Sequence, residues 1–89
     1  MSVKLSGAQI RAGRSLIRWS AAELAKASAL GANTIRRAEV SDGETSLTLA
    51  NDQAIRRALE VAGVEFIDEN GGGAGVRLRT RAKHKPTAE

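Results

Sequence analysis

The side chains able to do directed chemistry in this chain are mostly cations and amides. Arg11, Arg14 and Arg18 fall close together near the start. Asn33, Arg36 and Arg37 cluster in ANTIRRAE, and Arg77, Arg79, Arg81, Lys83 and Lys85 crowd the end. Guanidinium and amide groups make forked hydrogen bonds to anions and to planar acceptors. The ingredients of catalysis do not assemble from the spacing. His84 is the single histidine and has no ligand-type neighbours. Cysteine is absent, which excludes thiolate metal sites and disulfides. No nucleophile–base pair and no paired carboxylates can be argued. GGGAG, residues 71–75, lacks the following Lys-Ser/Thr and the strand-to-helix setting of a phosphate loop. The chemistry on offer is binding: no enzyme, no cofactor, no metal and no small-molecule ligand is expected.

Charge indicates what is bound. Net charge is +4 over 89 residues. Residues 1–45 hold seven Lys/Arg against four Asp/Glu, residues 46–75 two against five, and residues 76–89 five against one. Basic ends around an acidic middle point to an anionic partner. The length fits one small domain, which buries only ~60% of its unfolded surface and often gains stability by oligomerising. No run approaches the ~18 apolar residues of a membrane span. MSVKLSGAQIRAGRS lacks the apolar stretch of a signal peptide. A cytoplasmic protein without a membrane partner is expected.

Short helices must position these groups. Ser6-Gly7-Ala8-Gln9 reads as a capping box, and Ile10, Gly13, Leu16 and Ile17 follow at helical spacing. This predicts a first helix over residues 7–18, with Trp19 packing on the next. Ser20-Ala21-Ala22-Glu23 is a second capping box, opening a helix that runs to Ser28. After a turn, Gly31 caps a third helix, Asn33 to Glu39, with Ile35 and Ala38 inward. Helices this short must pack on each other to persist. Ser41-Asp42-Gly43-Glu44 is a turn cluster. Asn51 is the expected N-cap of a fourth helix, Asp52 to Ala62, striped by Ile55, Ala58, Leu59 and Ala62 and ended by Gly63. Asp52 suits that helix's dipole. The period then drops to two. VEFID, residues 64–68, and VRLRT, residues 76–80, predict a β-hairpin closed by ENGGGAG. A hairpin is marginal alone, so it must rest on the helices, a partner chain or both. RAKHKPTAE shows no periodicity and is expected to be disordered.

Two short helices joined by a tight turn form a helix-turn-helix, whose second helix fits the DNA major groove. WSAAELAKASALGANTIRRAE resembles the motif of the XRE, or lambda-repressor-like (Cro/CI-type), transcription regulators. Their pattern W-S-x-x-E-L-A-x-x-A-G-V-S-x-x-T-I-x-x-I-E is matched at Trp19, Ser20, Glu23, Leu24, Ala25, Thr34, Ile35 and Glu39. AIRRALEVAGVEFI is similar to the last helix and strand of small bacterial members, and GVEFIDENGGGAGVRLR to a C-terminal extension of some. The likeness covers roughly residues 6–79. The chain departs at four places. Ala29 replaces the usual turn glycine, Gly31 the usual N-cap Ser or Thr, Ala21 a frequent Gln, and Asp52 an apolar residue.

The resemblance implies a mainly α fold: a lambda-repressor-like helical bundle with its helix-turn-helix domain over residues 6–63, then a C-terminal β-hairpin. It places base readers at Ala32, Asn33 and Arg37. Asn33 would pair with adenine, Arg37 with guanine, and Ala32 would touch a thymine methyl. Phosphate contacts fall to Thr34, Arg36 and the backbone N–H at Ala21. Arg14 and Glu39 stand where the family has a structural ion pair. The expected function is a sequence-specific DNA-binding regulator, a repressor by default, bound to double-stranded DNA as a homodimer. Half-sites of its inverted repeat would lie ~10 base pairs apart, or a multiple of that. The hairpin, residues 64–80, is the expected dimer element, joining its edge to its mate's. Val64, Phe66, Val76 and Leu78 would be the buried contacts, and Ile67 would face the partner. The basic tail, residues 81–89, together with Arg77 and Arg79, can track phosphates or simply solubilise the chain. The alternative function is an antitoxin or antiactivator, neutralising a protein partner with DNA binding secondary.

Overall fold

The capping boxes read in the sequence open the first two helices of the computed structural model, which describes residues 4–68 and 71–79. Ser6 Oγ accepts the Gln9 N–H at 3.0 Å, and Gln9 Oε1 accepts the Ser6 N–H at 2.9 Å, starting α1 (Gly7–Ile17). Ser20 and Glu23 repeat the exchange at 3.0 and 2.6 Å, starting α2 (Ala21–Ser28). Both helices end on a residue other than glycine in the left-handed region: Arg18 at φ 60° and Ala29 at φ 62°. That geometry costs an L-residue about 1–2 kcal/mol. The residue after each cap offsets the cost. Trp19 N–H donates to the Arg14 carbonyl and Leu30 N–H to the Ala25 carbonyl, both at 2.9 Å. Trp19 and Leu30 then turn back onto the core.

Helix α3 (Ala32–Val40) starts and ends one residue outside the expected span, after Gly31, which gives no side-chain cap. Its C-terminal end meets the start of α1 backbone to backbone. A Cβ on Gly7 would lie 1.8 Å from the Ser41 carbonyl oxygen and 2.6 Å from that of Ala38. Only glycine fits that crossing.

The fourth helix corrects the sequence reading. α4 runs Leu49–Val61, and its N-cap is Thr48, whose Oγ1 accepts the Asn51 N–H at 3.1 Å. Asn51 is therefore inside the first turn, not before it. Burial of Leu47 brings the chain to the core early enough for Thr48 to open the helix. Asp52 has a larger role than favouring the dipole. It is fully buried. It accepts the Leu5 N–H at 3.1 and 3.3 Å and the Thr45 hydroxyl at 3.0 Å. Leu5, which belonged to no expected element, is thereby enclosed in the core. Thr45 N–H to the Leu5 carbonyl, and Gly7 N–H to the Gly43 carbonyl, hold the same strand-like segment.

Gly63, at φ 107°, turns the chain from α4 into β1 (Val64–Ile67), which pairs antiparallel with β2 (Gly75–Leu78). Val64 faces Leu78 and Phe66 faces Val76 across the ladder, while Glu65 faces Arg77 on the other side. The strands are shorter than expected, stopping at Ile67 and Leu78. Val64 corrects one expectation. It is fully buried by its own chain, lying beside Leu59 over the bare backbone of Gly13, so its side chain is not available to a second copy. Phe66 and Val76 pack partly on the same core. The Gln9 amide fixes the far end of the hairpin, donating to the carbonyls of Gly75 at 3.0 Å and Ile67 at 3.4 Å.

Among the described residues the result is a small, mainly helical domain of four helices with a C-terminal two-stranded hairpin. Leu5, Ile10, Leu24, Ile35, Ile55, Leu59 and Val64 form its fully buried centre. Among the described residues no helix is long and apolar enough to cross a membrane. Residues 81–89, with Arg81, Lys83, His84 and Lys85, lie outside the described residues.

Candidate nucleic-acid interface

Helix α3 is held from behind by two neighbours. Ile35 and Ala38 on its inner face pack with Leu24 and Ala25 of α2. From α1, Arg14 donates to Glu39 through Nε at 2.6 Å and Nη2 at 2.9 Å, and its Nη1 donates to the Trp19 carbonyl at 2.7 Å. One guanidinium thus joins the end of α1, the turn after it and the end of α3. The hydrogen bond to Glu39 raises the Arg14 pKa, against partial burial and with help from the carboxylate charge. Arg11 donates to the Glu39 backbone carbonyl and, at 2.8 Å, to Asp42 Oδ1. Its charge also complements the C-terminal end of the α3 dipole.

Away from these contacts α3 presents one stripe. Asn33, Arg36, Arg37 and Val40 are exposed at the i, i+3, i+4 and i+7 spacing that shares a helix face. Asn33 Oδ1 accepts from Arg36 Nη1 at 3.0 Å. Arg37 takes part in none of the ion pairs among the described residues. Two guanidinium forks and an amide therefore face outward together, while the acidic Glu39 is turned inward and neutralised. Ala32 and Thr34 flank the stripe, half-buried, and Ala32 leans on the core. Ala21 is likewise half-buried against the core at the start of α2, where first-turn N–H groups have no acceptor within the helix.

Of the other cations expected to meet a partner, the two among the described residues are engaged within the chain. Arg77 pairs with Glu65 at 3.2 Å, and Arg79 Nη2 donates to the Glu60 carbonyl at 2.5 Å. Ile67 and Leu78 remain partly exposed beside Phe66 and Val76. Sequence reasoning missed the positioning roles of four residues: Gln9, whose amide reaches the hairpin, Asp52, and Arg11 with its partner Asp42. The first had a signal, since a capping-box glutamine leaves its NH₂ unspent. A groove of about 390 Å³ also lies between α2 and α4, lined by Trp19, Ala27, Ala54, Arg57 and Val61 among others. Among the described residues no cluster of three or more His, Cys, Asp or Glu side chains could hold a metal ion. Compared with known proteins, the chain matches no family model and no curated protein.

Proposed function

We propose that this chain is a sequence-specific DNA-binding regulator of the lambda-repressor-like kind, bound to an inverted repeat as a homodimer. The observation that carries the reading is the outer face of α3. Asn33, Arg36 and Arg37 stand exposed on a nine-residue helix whose other sides are clamped by α1 and α2. A helix enters the ~12 Å major groove with such a face leading. In this reading Asn33 meets adenine N6 and N7, Arg37 meets guanine O6 and N7, and Ala32 touches a thymine methyl. Thr34, Arg36 and the backbone N–H at Ala21 take phosphates. One short helix reads few base pairs, so a twofold mate supplies the rest. Among the described residues each strand of the hairpin has one edge without a neighbouring strand, and Phe66, Ile67, Val76 and Leu78 lend apolar area to that junction.

Selection of bound duplexes from a random pool tests the proposal, and the expected product is a palindrome with half-sites ~10 base pairs apart or a multiple. Affinity for that site should fall steeply with salt as counterions are released. Arg37→Ala should relax one column of the site at a cost of roughly 1–3 kcal/mol. An unchanged site would place the recognition face elsewhere. The groove between α2 and α4 favours a second reading, an antitoxin or antiactivator that holds a protein partner there. Under that reading DNA binding is secondary, and the pool yields at most a weakly enriched sequence.

A further inference from the structure

We infer that Arg36 sets the base choice made by Asn33, acting as a positioning residue that fixes which edge of the amide meets the DNA. The inference rests on the DNA-binding reading and deepens it. Arg36 Nη1 and Asn33 Oδ1 lie 3.0 Å apart on the exposed stripe of α3, three residues apart. A guanidinium carries donors only, so it holds the oxygen of the amide and not its NH₂. The last torsion of asparagine is broad and roughly two-fold, so an unheld amide presents either edge. Adenine offers a donor at N6 and an acceptor at N7, and matches an amide that presents both its oxygen and its NH₂. Guanine offers acceptors at O6 and N7, and matches an amide that presents NH₂ alone. The oxygen held by Arg36 keeps a second lone pair for adenine N6–H, and Nδ2 remains free for N7. The contact therefore blocks no adenine bond and removes the orientation that suits guanine. Arg36 has further N–H groups beyond the one given to Asn33, so a phosphate contact is compatible with this role. Asn33 and Arg36 form one adenine-selecting unit, and Arg37, outside the pair, reads its base independently.

The test is parallel selection from a random duplex pool at one salt concentration, using the wild type, Asn33→Ala, Arg36→Met and Arg36→Lys. Methionine keeps the apolar stem and helix preference while removing the donors. Both positions are exposed, so all four proteins should melt together. The wild type is expected to enrich an adenine column in each half-site, and Asn33→Ala to lose that column alone. Arg36→Met should keep the palindrome but lower the adenine-over-guanine preference in that column by about fivefold, the lower end of what such a pair is worth. Arg36→Lys, with a single-point donor, should restore part of it. If Arg36→Met instead weakens all sequences alike and leaves the column intact, Arg36 is a phosphate contact only and the inference is overturned. If the wild type enriches no sequence at all, the DNA-binding reading fails and takes this inference with it.

Discussion

Single residues carry most of the strain and most of the commitment in this fold. Ala29 occupies a left-handed position that glycine adopts without penalty. Ala29→Gly should stabilise the domain by about 1 kcal/mol, net of the extra freedom gained by the unfolded chain. Thermal melting reads this as a rise of about 4–8 °C, and an unchanged or lower midpoint would refute it. Asp52 is the opposite case, a buried carboxylate fully used by the Leu5 N–H and the Thr45 hydroxyl. Asp52→Ala should cost about 3 kcal/mol, because two buried donors lose a charged acceptor. Asp52→Asn, which keeps one oxygen, should cost less, and denaturant titration of both variants checks the order. The Asn33, Arg36 and Arg37 group was visible because it sits at helical spacing, whereas the Arg14–Glu39 pair, bridging α1 and α3, was expected only from the resemblance. The sequence marked Asp52 as a polar residue at a usually apolar position but did not show its partners, one of which lies more than forty residues away.

At the scale of elements, the capping boxes were legible because each closes within four residues. The start of α4 was not. Thr48 and Asn51 are both good caps, and the burial of Leu47 decided between them. The hairpin was legible as alternation, but which chain would cover its inner face was not. Gln9 and the core near Gly13 answer that question for Val64. On the outer face, Arg77 lowers the Glu65 pKa, first by hydrogen bonding and then by its charge. A lowered folded pKa means that the unfolded state binds the proton more readily. The contribution is therefore complete above the ordinary carboxylate range and is lost as pH falls through the lowered value. Arg77, whose pKa is raised by Glu65, stays charged throughout that window. Wild type should melt above Glu65→Gln at neutral pH, with the gap closing on acidification and narrowing with salt. A gap that persists in acid would show that the pair is not its source.

For the molecule as a whole, the proposed dimer turns on the hairpin rim. Ile67 is partly exposed at the end of β1 and faces the small Gly75 across the ladder. Ile67→Lys should leave the fold intact but shift sedimentation toward the monomer and abolish preference for paired half-sites over a single one. Retention of the dimer would move the twofold contact off this rim. The whole-chain charge pattern was readable from the start, yet its outcome was not. Arg77 and Arg79 proved to be engaged with Glu65 and the Glu60 carbonyl, while Arg36 and Arg37 of α3 share one exposed face. At the Gly7 crossing, two main chains touch with no room for even a methyl group. Side chains drift freely across evolutionary time, but a steric veto of this kind does not. Any distant cousin that retains this crossing must retain a glycine directly behind its opening cap, which supplies a fingerprint for kinship where overall similarity has faded.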